Sequence, residues 1–66
     1  MTTKQIIDTL RRRAKAQGVT NYRLAARSGV SQATISRVFA GKSAPDVGTV
    51  VKLAGALGLR VEVVEG

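Results

Sequence analysis

Cysteine, histidine and tryptophan are absent from this 66-residue chain, and proline, tyrosine and phenylalanine occur once each. Without cysteine there is no disulfide and no thiol nucleophile. Without histidine there is no imidazole for acid–base work, and the usual zinc ligands are gone with both. The four acidic residues, Asp8, Asp46, Glu62 and Glu65, are scattered, and Asp46 is better explained as a helix cap than as a catalyst. Gly41-Lys42 lacks the remainder of a phosphate-cradling loop. No enzyme is expected, and no cofactor or metal. Two aromatic residues cannot furnish the stacking surface that RNA or single-stranded nucleic acid would need. The apolar runs fall far short of a membrane span. The start, Met1-Thr-Thr-Lys-Gln5, has no charged segment leading into an apolar one, so no secretory signal and a cytoplasmic location are expected.

What is present is positive charge. Lys and Arg number 11, for a formal net charge of +7. Residues 1–42 hold nine of them against the single acid Asp8, whereas residues 43–66 hold two against three. A basic front and a near-neutral back point to a polyanion-binding face and a separate surface for another purpose. A 44% hydrophobic content is too high for a disordered basic tail. One small domain is expected. A chain of this size buries only about 60% of the surface that its unfolded state exposes. With disulfides and zinc excluded, a second copy of the chain is the expected reinforcement.

The periodicity predicts four short helices. Thr2 and Gln5 have capping-box spacing ahead of Ile6, Ile7, Leu10 and Ala14, which gives a first helix over residues 3–17 stopped by Gly18. Thr20 can cap a second helix that ends at Ser28-Gly29, and Ser31 a third through Ile35, Val38 and Phe39, stopped by Gly41. Phe39 is expected to pack against the fourth helix. Asp46 can cap that helix, with Val47, Val50, Val51, Leu53, Ala54 and Leu57 on its apolar side. Gly48 and Gly55 weaken it by about 1 kcal/mol each relative to alanine. The Arg11-Arg-Arg13 run is expected to be a solvated helix face that adds long-range attraction.

Beyond Gly58 the period changes to the alternation of a β-strand, with Leu59, Val61 and Val63 on one side. No second strand candidate exists, and a lone strand tends to recruit another edge. Residues Leu59, Arg60, Val61, Glu62, Val63 and Val64 are therefore expected to pair with a second copy. An antiparallel register centred on Val61 would set Arg60 opposite Glu62 twice, each pair worth about 0.2–1 kcal/mol.

The stretch Asn21-Tyr-Arg-Leu-Ala25-Ala-Arg-Ser-Gly29-Val-Ser-Gln-Ala-Thr-Ile35-Ser-Arg-Val38 carries the strongest signal. Two short helices joined by so tight a turn must cross steeply, with small Ala25 at the closest approach and Gly29 in the turn. Val30, Ile35 and Val38 then fix the angle between them, the pattern of a helix-turn-helix. Together with Gly41-Lys42 and Lys52-Leu-Ala-Gly-Ala-Leu-Gly58, it closely resembles the Cro/cI-type (XRE) helix-turn-helix family of phage and bacterial regulators, over about residues 3–58. The resemblance implies a mainly α, lambda-repressor-like fold: residues 1–58 as the DNA-binding domain, and residues 59–66 as a dimerising strand.

It also implies that the third helix enters the major groove of double-stranded DNA. There it presents Gln32, Ala33, Ser36 and Arg37 to base edges, Gln32 with the geometry for adenine, Arg37 for guanine or a phosphate, Ala33 for a thymine methyl. Asn21, Tyr22, Ser31, Lys42 and Ser43 are the corresponding phosphate-facing set, and Asn21 can also brace Gln32. Expected activity is repression by a homodimer on a roughly palindromic operator. The alternative within the same fold is an antitoxin whose terminal strand pairs with a toxin, although no extension that would wrap such a partner follows the strand. A membrane-surface helix is a weaker reading, because the apolar stripe of residues 3–17 is needed for the core. An architectural binder would need an apolar wedge for the minor groove.

Overall fold

A computed structural model describes residues 2–65, and it contains four helices, α1 (Thr3–Ala16), α2 (Asn21–Ser28), α3 (Gln32–Phe39) and α4 (Val47–Ala56). Each starts on a side-chain oxygen that takes up one of the backbone donors left over in a first turn. The Thr2 hydroxyl accepts from the Gln5 N–H at 3.2 Å, and the Gln5 side chain accepts in return from the Thr2 N–H at 2.8 Å. The hydroxyls of Thr20 and Ser31 accept from the N–H groups of Arg23 and Thr34, at 3.2 and 3.1 Å. The Asp46 carboxylate accepts from the Thr49 N–H at 2.7 Å.

Three of the helix ends are also alike. The N–H groups of Val19, Lys42 and Leu59 donate back to the carbonyls of Ala14, Arg37 and Ala54, at 2.9, 3.0 and 2.8 Å. The reversal before Lys42 needs a left-handed residue, and Gly41 supplies it at φ 75°. Sequence-local chemistry thus sets both ends of every helix.

The Asp46 cap titrates. Hydrogen bonds from the backbone and then the side chain of Thr49, with attraction from Lys52, hold its carboxyl below the ordinary aspartate range. A lowered folded-state value means that the contribution of the cap is complete above the unfolded-state value and is lost as pH falls through the folded one. Asp46→Asn, which keeps a capping oxygen, is expected to remove this part of the acid sensitivity. An acid titration of helix content identical to that of the parent chain would refute the assignment.

The helices enclose one core. Leu24, Ile35 and Leu53, one from each of α2, α3 and α4, are fully sealed, and Leu10 and Ala14 of α1 are buried with them. α2 packs against both α3 and α4, while α1 lies on α3. Two expectations for α4 need correction. Val47 and Val51 are 75% and 49% exposed, and Val50 is only half-buried, whereas Leu53, Ala54 and Leu57 face inward. Apolar side chains ring this helix on several sides, and Val47 and Val51 fall on the side that is left open to solvent.

The Arg11-Arg-Arg13 run also divides. All three arginines are exposed as expected, but the Arg11 guanidinium also donates to the Phe39 carbonyl at 2.6 Å and to the Asp8 carboxylate at 2.7 Å. Arg11 therefore straps α1 to the end of α3. Phe39 is buried in the common core with Leu53, Ala54 and Leu57 and borders a cleft beside Ile7 and Arg11, so α1 helps to hold its end of α3.

After α4 the chain continues without regular structure. A strand is defined by a hydrogen-bonded neighbour, and among the described residues none is present, so the expected β-pairing is not made within one copy. Leu59 packs against the core, while Val63 and Val64 stand 98% and 79% exposed. Arg60 and Glu62, expected to meet across a two-fold axis, pair within the chain at 2.9 Å. Met1 and Gly66, the outer ends of the expected division at residue 58, lie outside the described residues. Among those residues no helix is long and apolar enough to cross a membrane.

Candidate nucleic-acid interface

The α2–α3 turn creates the site. Gly29 takes φ 77° there, a conformation that costs glycine nothing, and its N–H donates to the Ala25 carbonyl at 3.0 Å. The Ser28 hydroxyl accepts from the Val30 N–H at 3.1 Å and turns the buried Val30 under the corner. With Ile35 and Val38 also buried, α3 is fixed about its long axis.

That rotation decides what α3 shows to solvent. Gln32, Ala33, Ser36 and Arg37 are all exposed. Their spacing of one, four and five residues from Gln32 places them on one contiguous stripe of the helix, opposite the buried Ile35 and Val38. The stripe is uncluttered because its middle residues, Ala33 and Ser36, are small. It ends in two groups of planar hydrogen-bonding geometry, an amide at Gln32 and a guanidinium at Arg37.

The surrounding residues divide. Tyr22, 72% exposed, borders a shallow concavity between α2 and α3 together with Ser31 and Gln32. The Ser31 hydroxyl, in contrast, is already engaged, since it caps Thr34 and donates its own hydrogen to Thr34 Oγ1 at 2.8 Å. A phosphate at Ser31 would have to replace Thr34 as acceptor. Asn21 is half-buried in the first turn of α2. The expected brace from Asn21 to Gln32 is not formed among the described residues.

At the other end of α3, the Lys42 and Gly41 N–H groups donate to the carbonyls of Arg37 and Val38, at 3.0 and 3.1 Å. The turn that carries Lys42 and Ser43, both exposed, is in this way bolted to the helix. Arg11 adds a second fastening. The Phe39 carbonyl is one of the four at a helix end with no partner inside the helix, and a cation beside it also suits the negative end of the helix dipole. The Asp8–Arg11 ion pair is absent from the expectations above, although a spacing of three residues on one helix is the signal that could have found it. The third member, a backbone carbonyl 28 residues away, leaves no trace in a sequence.

The geometry is therefore a rigid convex stripe of small and hydrogen-bonding side chains, with basic residues at its far end and on the flanking helices. The helix-turn-helix family model matches residues 10–64, from the second half of α1 through the C-terminal segment. No curated protein and no solved structure matches this chain.

Proposed function

Because this chain belongs to the Cro/cI-type (XRE) helix-turn-helix family of DNA-binding transcription regulators, we propose that it is a sequence-specific repressor acting as a homodimer on an inverted-repeat operator. The observation that carries this reading is the exposed stripe Gln32, Ala33, Ser36 and Arg37 on a helix whose opposite side is sealed in the core. A helix presented in this way fits the major groove, where base pairs are distinguishable by their donors and acceptors. Gln32 reads adenine, Arg37 reads guanine or holds a phosphate, and Ala33 meets a thymine methyl. Asn21, Tyr22, Ser31, Lys42 and Ser43 set the register on the backbone, which carries affinity without sequence information.

The dimer rests on different features. Exposed valines are concentrated on α4 and in residues 61–64. That end of the molecule is close to neutral, whereas the first 42 residues are strongly basic, so two copies can meet back to back without strong repulsion. In this reading residues 1–58 bind DNA and residues 59–66 join the subunits. Two recognition helices then lie about 34–36 Å apart on one side of the duplex, and a bound dimer excludes polymerase. The antitoxin reading uses the same exposed Val63 and Val64, but pairs them with a toxin chain.

Selection of bound sequences from a randomised duplex pool at near-physiological salt tests the proposal. The expected result is an inverted repeat with half-sites one helical turn apart. A single enriched half-site, bound by a chain that sediments as a monomer, would reject the homodimer and favour the antitoxin. Salt-sensitive binding to every duplex without enrichment would reject sequence reading altogether.

A further inference from the structure

A cleft separates the start of α1 from the loop that follows α3. Lys4, Asp8 and Arg11 border one wall, and Phe39, Gly41 and Ser43 the other. Two of its charges cancel, because the Asp8 carboxylate is held by Arg11 at 2.7 Å. Arg11 is further occupied by the Phe39 carbonyl. Neither ion pair formed among the described residues includes Lys4. Lys4 is exposed and, among the described residues, is the uncompensated charge of the cleft, across from the loop of Lys42 and Ser43.

We propose that Lys4 is a further DNA-backbone ligand, engaging a phosphate on the outer flank of each half-site, on the strand that Lys42 and Ser43 contact. The inference rests on the DNA-binding reading above. Phosphates follow one another along a strand at about 3.4 Å of helix axis, so a strand seated on the loop continues past the mouth of the cleft. A lysine suits that position, since its ammonium is a point charge on a flexible stem and asks for no fixed geometry. Lys4 therefore widens the site bound on each side without adding base preference.

The test compares two variants that remove the same charge from the full-length chain. Lys4→Ala lies at the cleft. Lys52→Ala lies on α4, outside both the recognition stripe and the lining of the cleft. Both positions are exposed, so helix content by circular dichroism should match the parent chain. The slope of log Kobs against log salt is then measured on the selected operator and on an unrelated duplex. Lys4→Ala is expected to flatten the slope by about 0.9 on both duplexes, the share of one phosphate contact. Lys52→Ala is expected to leave it unchanged, and Lys4→Arg to restore it. Equal slopes for Lys4→Ala and Lys52→Ala would overturn the contact while leaving the DNA-binding reading intact. A parent chain with no salt-dependent affinity for either duplex would overturn that reading, and this one with it.

Discussion

Ile35→Ala is expected to lower the melting temperature by roughly 10–40 °C. Ile35 is 0% exposed and sits where α3 meets the rest of the core. Truncating such a side chain costs about 2–5 kcal/mol, from lost transfer energy and from the cavity left behind. A domain of this length has a total stability of only about 3–10 kcal/mol, and each kcal/mol moves its melting temperature by about 4–8 °C. The loss strikes function as directly as stability, since the buried side of α3 is what turns Gln32 and Arg37 outward. Thermal denaturation followed by circular dichroism measures the effect. Val63→Ala, at a residue 98% exposed, is the control and should leave the melting of dilute chain unchanged. A shift below about 5 °C for Ile35→Ala would mean that the core can close over the gap.

Gln32→Ala should act in the opposite way, leaving the fold intact and weakening operator binding by about 5- to 150-fold, the equivalent of 1–3 kcal/mol. An amide that donates to and accepts from one adenine loses both bonds at once. The signature is a change of preference rather than a uniform loss. Competition among operators altered at single positions should show one base pair in each half-site at which the variant no longer discriminates. A variant weakened equally on all sequences would place Gln32 on the backbone instead.

The parts of this architecture that were legible in advance are those encoded within a few residues. All four N-caps, at Thr2, Thr20, Ser31 and Asp46, were readable because a capping oxygen and the N–H that donates to it lie three positions apart. The stripe on α3 was readable because Ile35 and Val38 are aliphatic where Ala33 and Ser36 are small. Legibility failed where the deciding partner lay elsewhere. Nothing around Val47 and Val51 says that they would fall on the open side of α4. Nothing around Arg11 announces the carbonyl of Phe39. The alternation in residues 59–64 was real as a pattern, but strand pairing belongs to two segments, and a single copy of the chain holds one. Arg60 and Glu62 illustrate the same limit, because side chains two apart on an extended segment can reach each other as readily as a partner.

The self-contained helix ends have a kinetic consequence. When caps and reversals are written into each helix, the chain need not find distant partners before a helix can stop or start. The entropic toll of closing long loops is then confined to docking four short rods. Proteins dominated by such local contacts fold in microseconds to milliseconds. On the repressor reading proposed above, folding would then add little delay between synthesis and silencing, which would be set by meeting a second copy and finding the operator.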